Sequence, residues 1–394
     1  MIAQTAKRAI PLSTNHAVAY AVKDLDVDVI SAYPITPQTT VVEKISEFIA
    51  NGELNAEYIH VESEHSALSA AVSASLTGAR AFTATASQGL ALMHEILHIA
   101  TGLRAPVVMS VIMRALSAPI SIWNDQSDIF NARDSGWIII FAHTAQEAYD
   151  SVIQAYKIAE DQNVLLPVMV AYDGYVMSHT IEPVITESRE KVTSFAPKKQ
   201  FPFKLDPNRP VTIGAITPPE YYYEVKYQQV KAVDESLPTI ERVDEDFGKV
   251  FGRNYGIMEC YMCEDADSLI LTNASYASTL KAFLPEIRKQ GVKVGLLRLR
   301  VYRPFPLQKF IEYIENKKSL LVIDRAISYG APYQGPLANE ISGALIKEGL
   351  SLNLISVVAG IGQRTVEFED FLALSRIAYE GKKYKETIFY GVRE

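Results

Sequence analysis

Between Leu12 and about Glu182 the chain alternates two hydrophobic patterns: short unbroken apolar runs, and longer stretches in which apolar positions return every three or four residues. The first pattern suits strands buried on both faces, and the second suits helices with one face against a core. It predicts helix near 14–25, strand 27–32, helix 37–50, strand 57–61, helix 64–77, strand 80–85 and helix 89–101, followed by strands 106–112 and 137–142, helix 145–160 and strand 165–171. This alternation predicts a mainly parallel sheet covered by helices on both sides. Residues 114–136 break the rhythm. The stretch RALSAPISIWNDQSDIFNARDSG has no clear period, and its Arg, Trp, Asp and Asn content marks a functional loop.

A second alternating run starts near residue 267, with strand SLILT, helix 275–290, strand VKVGLLRL, helix 307–316, strand SLLVIDRA, helix 335–348 and strand NLISVVA. Between the two runs the composition shifts to Pro, Lys and Tyr, which reads as a connecting arm laid over the surface or over a partner chain. The expected organisation is therefore a domain over 1–185, an arm over 186–260 and a smaller α/β domain over 261–394, as suits a chain of 394 residues.

Composition removes several function classes. No apolar run approaches the roughly 18 to 20 residues that span a bilayer, and the start MIAQTAKRAI lacks a secretory pattern, so a cytoplasmic protein without a membrane partner is expected. A net charge of −8 without a basic stripe argues against nucleic acid as a partner. The two cysteines, Cys260 and Cys263, form one C-x-x-C, but it runs into a strand rather than opening a helix, which argues against a thioredoxin-like pair. Two thiolates are also too few for an iron–sulfur cluster, so any electron relay belongs to another chain.

Four segments carry candidate chemistry, each placed at the carboxyl end of an expected strand, where open α/β sheets bind ligands. In Tyr33-Pro34-Ile35-Thr36-Pro37 two prolines stiffen a turn that offers a hydroxyl and a helix start; the alternative is an ordinary stiff loop. In Glu62-Ser63-Glu64-His65 the acids are either catalytic or simply suited to the helix dipole. Ala86-Ser87-Gln88-Gly89 is a small-residue turn that lets a ligand approach the backbone. Arg114 is either a two-pronged clamp for a carboxylate or an ion-pair partner of Asp125 or Asp128.

The succession YPITP, ESEHSA, TASQGL, RALSAPISIWNDQSD, ARDSGWI and LLPVMVAYDGYVMSHT resembles the α subunit of multi-subunit pyruvate:ferredoxin oxidoreductases, and Leu297-Arg298-Leu299-Arg300-Val301-Tyr302-Arg303-Pro304-Phe305-Pro306 resembles that family's second domain. The resemblance covers nearly the whole chain. It implies a pyrimidine-binding-type parallel-sheet domain for thiamine diphosphate, followed by a smaller transketolase-C-like α/β domain. It implies that Glu64 hydrogen-bonds the aminopyrimidine ring and so promotes the tautomer that forms the ylid. It further implies that Thr36 and Arg114 hold the substrate carboxylate, and that Pro34, Ile35, Ser87 and Gln88 line the cofactor with Glu64. The reaction it implies is oxidative decarboxylation of pyruvate, with coenzyme A and ferredoxin as the acceptors.

Absences sharpen that expectation. The family's Mg²⁺-diphosphate segment, G-D-G followed by Asn, does not occur; the nearest string, Tyr172-Asp173-Gly174-Tyr175, lacks the first glycine. The resemblance thus implies a β subunit supplying Mg²⁺ and the diphosphate half-site, with γ and ferredoxin-like δ subunits, and [4Fe-4S] clusters on partner chains. Pyruvate and branched-chain 2-oxoacids such as 2-oxoisovalerate remain alternative substrates. One rival motif stands apart: His94-Glu95-Ile96-Leu97-His98 is an H-E-x-x-H of the zinc metallohydrolase kind, without an evident third ligand, and no metal is expected on this chain.

Overall fold

The computed structural model describes residues 9–199, 201 and 203–393. Among these, the strands form three sheets of seven, six and two strands. The seven-stranded sheet runs in the order Val301–Arg303, Ile138–Phe141, Val168–Asp173, Val108–Met113, Ala81–Thr85, Val29–Ser31, Glu57–Ile59. All its pairings are parallel except that of Val301–Arg303 with Ile138–Phe141. The six-stranded sheet is Ile388–Tyr390, Asn353–Ala359, Ser319–Asp324, Ser268–Thr272, Val294–Leu299, Met258–Tyr261, parallel except at the last pair. A small antiparallel ribbon joins Ile10–Ser13 to Ile181–Val184. The central strands VMSVIM, VMVAYD and SLLVID are buried at every position, as strands covered on both faces must be.

The two halves share a core. One cluster of buried apolar side chains takes in Met109 and Ile139 of the first sheet, Tyr302, and Leu297, Leu320 and Ile341 of the second half. The strand Val301–Arg303, which follows the second sheet's Val294–Leu299 almost directly, crosses over to close the edge of the first sheet.

Several elements differ from the pattern-based reading. The arm carries the helices Arg189–Phe195, Pro219–Asp234 and Leu237–Phe251, and the last buries Ile240, Val243, Phe247 and Phe251 at helical spacing. Their prolines, which look like breakers, sit in the first turn, where proline's missing N–H costs nothing. The helix expected over 89–101 is interrupted at Met93 into Ser87–Leu92 and His94–Gly102. The helix Phe368–Glu380 was not anticipated; it opens on a reciprocal cap between Glu367 and Asp370 and ends on left-handed Gly381. The C-x-x-C pair, whose setting argues against a thioredoxin-like motif, is joined as a disulfide from Cys260 within the edge strand Met258–Tyr261 to Cys263 just beyond it. No helix among the described residues is long and apolar enough to cross a membrane.

Candidate active site

Four neighbouring parallel strands end on the candidate segments, so the sheet order lays them side by side. Arg114 follows Val108–Met113, Ser87 and Gln88 follow Ala81–Thr85, Tyr33 to Pro37 follow Val29–Ser31, and Glu64 follows Glu57–Ile59. Gln38 stitches two of these ends together. Its Oε1 accepts the Ile35 N–H at 3.3 Å while its Nε2 donates to the Ala84 carbonyl at 3.1 Å, and it is fully buried. Asn15 fixes the other side of the turn by donating to the Pro37 carbonyl at 2.8 Å.

Arg114 is nearly buried, and its guanidinium is oriented by carbonyls rather than by acids. Nε donates to Ser121 O at 2.9 Å and Nη1 to Thr36 O at 2.8 Å. The alternative ion pair with Asp125 or Asp128 is not formed. Asp125 is taken by the N–H and hydroxyl of Ser127, at 2.9 and 2.6 Å, and from Arg114 Asp128 accepts the backbone N–H, at 3.0 Å, rather than the guanidinium. Two carbonyl bonds leave one N–H on Nη1 and two on Nη2, an edge able to take a carboxylate on two prongs. Burial lowers the guanidinium pKa from its ordinary value, opposed by Tyr175 and Asp128. Thr36 is the exposed partner whose carbonyl steers this edge.

Glu64 opens the helix Glu64–Leu76, behind the Ser63 cap whose hydroxyl accepts the Ser66 N–H at 3.2 Å. It is only 7% exposed, and among the described residues it has no hydrogen-bond or ion-pair partner. Gly89 lies against it: a Cβ there would come within 2.8 Å of Glu64 Cγ and Oε1 and within 2.4 Å of Thr85 Oγ1, so only glycine fits. Among the described residues the Thr85 hydroxyl is itself buried without a partner.

The turn between them is held hard. Ser87 sits at φ +49, a left-handed conformation unusual for a side chain-bearing residue, and its hydroxyl donates to Ala115 O at 2.5 Å. Gln88 Oε1 lies 2.6 Å from the Ser87 hydroxyl, competing with Ala115 O for its one proton, and the Gln88 amide reaches the Ser117 hydroxyl. Pro34 is exposed and Ile35 half-buried in the neighbouring loop.

Sequence reasoning missed the groups that fasten this arrangement. Asp128, weighed only as a partner for Arg114, is a fully buried acceptor for backbone N–H groups; burial pushes its pKa up to about 7 against the pull of those bonds. Asp173, noted only as part of an imperfect G-D-G, joins the halves: it accepts Asn124 Nδ2 at 3.0 Å, the Ser275 N–H at 2.9 Å and Arg325 Nη1 at 2.7 Å. Gly174 beside it is needed because a Cβ would lie 2.7 Å from Met113 O. No local spacing announces these contacts, since their partners are distant in the chain.

His94 and His98 lie on one face of the helix His94–Gly102, with ring centroids 5.1 Å apart, while Glu95 faces His65 at 3.4 Å. Among the described residues no group of three or more His, Cys, Asp or Glu is placed to hold a metal ion.

Residues 20–245 match the family described as pyruvate flavodoxin/ferredoxin oxidoreductase, thiamine diphosphate-binding, and residues 266–371 match pyruvate:ferredoxin oxidoreductase core domain II. The chain is 48% identical to pyruvate synthase subunit PorA of Methanothermobacter thermautotrophicus, over 90% of this chain and 91% of that protein. It is 42% identical to ketoisovalerate oxidoreductase subunit VorA of Pyrococcus horikoshii, over 97% and 98%. A solved 2-oxoglutarate:ferredoxin oxidoreductase from Magnetococcus marinus, bound to 2-oxoglutarate, coenzyme A and succinyl-CoA, superposes with a TM-score of 0.74 at 19% identity. That alignment covers 96% of this chain but 66% of the other, and carries the fold alone.

Proposed function

This chain belongs to the pyruvate flavodoxin/ferredoxin oxidoreductase family, and on that premise we propose that it is the α subunit of a pyruvate:ferredoxin oxidoreductase, supplying the half-site that activates thiamine diphosphate and grips the substrate carboxylate. The assembled enzyme oxidatively decarboxylates pyruvate with coenzyme A, giving acetyl-CoA, CO2 and reduced ferredoxin. The higher identity to the pyruvate synthase subunit, 48% against 42% for the ketoisovalerate one, favours pyruvate over a branched-chain 2-oxoacid.

One observation carries the reading: among the described residues Glu64 is a nearly buried carboxylate without a partner, pressed against Gly89 and next to the Thr85 hydroxyl, which is likewise unpaired there. Buried polar groups are ordinarily paired, so an acceptor and a hydroxyl left open at the carboxyl end of one sheet suit a heterocycle with ring nitrogens and an amine. The residues present thus fit the pyrimidine half of the cofactor. They do not fit its Mg²⁺-diphosphate half, which belongs to a β subunit; the [4Fe-4S] clusters likewise belong to partner chains, in a complex with γ and δ subunits.

When bound, thiamine diphosphate supplies the nucleophilic thiazolium carbon and the electron sink for decarboxylation. Glu64 holds a proton at the pyrimidine ring nitrogen, in a setting where few other groups compete for its charge. Pro34, Ile35, Ser87 and Gln88 line the ring. Arg114 takes the pyruvate carboxylate on its open Nη edge and Thr36 adds its hydroxyl, so the 2-oxo carbon is presented in one orientation. In the assembled complex Glu64→Gln should slow exchange of the thiazolium C2 proton, followed by NMR, by about 10²- to 10⁴-fold while assembly is retained. An unchanged exchange rate removes Glu64 from this role.

A further inference from the structure

Asp128 lies in the short helix Ser127–Asn131, inside the interruption between two sheet strands, and is fully buried. Three backbone N–H groups from three places in the chain converge on it. Oδ2 accepts both the Ser87 N–H, at 2.8 Å, and the Arg114 N–H, at 3.0 Å, and Oδ1 accepts the Ile129 N–H at 2.8 Å. Among the described residues no Lys, Arg or His side chain forms an ion pair with it, so its direct partners are backbone N–H groups. Burying a carboxylate this way is expensive, and strand ends in a fold need no such acceptor merely to exist. What distinguishes these two ends is their cargo: one carries the cofactor turn, the other the carboxylate clamp. Ser127, the preceding residue, adds a grip on the clamp side alone, accepting the Leu116 N–H at 3.0 Å.

We propose that Asp128 is a positioning residue that sets the Ser87-Gln88 turn and Arg114 in one geometry by tying both backbone N–H groups to a single oxygen. The inference rests on the assignment of Arg114 and the Ser87 turn to substrate and cofactor. A carboxylate is suited to the task because both its oxygens accept. An asparagine amide would set an NH2 against at least one of the three converging N–H groups, and the backbone would shift to relieve it.

The test uses the assembled complex and measures KM for pyruvate, thiamine diphosphate and coenzyme A, together with kcat and melting temperature. Asp128→Asn should raise KM for pyruvate by about tenfold or more, and KM for thiamine diphosphate as well, with KM for coenzyme A within about twofold of the parent. Ser127→Ala should raise KM for pyruvate a few-fold and leave that for thiamine diphosphate alone. In an Arg114→Ala background Asp128→Asn should add less than about twofold to the pyruvate KM, because its route to the substrate is already cut. Full additivity in that cycle, or a lowered melting temperature with both KM values unchanged, overturns the proposal. If Asp128→Asn does not assemble, the same cycle run with Ser127→Ala decides. An Arg114→Ala complex with an unchanged pyruvate KM would instead sink the assignment of the clamp itself.

Discussion

Two regions of this molecule bury charged side chains at the junction of helix and sheet, and they differ in whether each charge meets an opposite charge. Around Glu147, on the helix Ala145–Ala159, the charges close on one another. Its Oε2 accepts Arg298 Nη1 at 2.7 Å and the His143 N–H at 2.9 Å, and its Oε1 accepts Arg300 Nε at 2.9 Å and Arg298 Nη2 at 3.1 Å. Arg300 goes on to Gln154 Oε1 at 2.8 Å and Gly256 O at 3.0 Å. At the strand ends, by contrast, Glu64 has no partner among the described residues and Arg114 keeps one edge open. Burial and charge alone therefore do not mark a functional group. An ion cluster that satisfies itself holds two halves of a chain together, while one that stops short is built to receive something else.

That contrast breaks most visibly at Glu147. Glu147→Gln removes the carboxylate shared by two buried guanidiniums, leaving Arg298 with Glu259 at 3.2 Å and Arg300 with Asp244 at 3.6 Å, and removing one partner of a buried pair typically costs about 3 to 5 kcal/mol. The melting temperature of the complex should fall sharply, while kcat/KM per assembled complex stays within about twofold. Activity falling in step with stability would erase the distinction between the two regions.

Arg114 should show the reverse. Arg114→Ala should lower kcat/KM for pyruvate by about one to two powers of ten, the worth of a charge-assisted hydrogen bond of roughly 1.5 to 3 kcal/mol. Arg114→Lys should lose less, since it keeps the charge but not the planar edge. Asp125→Asn should leave the pyruvate KM where it was, because Asp125 is bonded to Ser127 rather than to the guanidinium. A rise in KM for Asp125→Asn to match the Arg114 variants would restore the ion-pair reading.

The smallest effect tests a closed group with an unusual proton affinity. Burial pushes Asp24 up to about 6, partly offset by the Tyr149 hydroxyl, which donates to it at 2.8 Å. Its folded pKa lies above the unfolded value, so the folded state binds the extra proton, and this group's contribution to stability declines as pH rises from about 4 to about 6. Asp24→Asn keeps an acceptor for Tyr149 and cannot titrate. Melting temperature measured across that window should therefore fall less steeply with pH than in the parent. An identical slope would place the Asp24 proton elsewhere.

Much of the site's layout was legible in the chain because strand, turn and helix follow one another locally. Periodicity placed YPITP, Glu64, the Ser87 turn and Arg114 at strand ends, since a run of apolar residues and the turn that ends it lie within a dozen positions of each other. The arm was less legible: Tyr221, Tyr222 and Tyr223 stay exposed on a helix whose polar and aromatic residues blur the period, and its prolines looked like breaks.

By itself, the sequence determined the alternation of strand and helix, the types of side chain at each strand end, and the absence of a G-D-G segment, all of which are properties of neighbours along the chain. Tertiary structure alone decided which groups meet. It turned the Arg114 guanidinium to Thr36 and Ser121 instead of to acids, and it sent Val301–Arg303 back to the first sheet. It also drew Ser87 and Arg114 onto one oxygen of Asp128, 41 and 14 residues away. These choices depend on sheet order and on which buried donor lacks an acceptor, and both exist only once distant segments have packed.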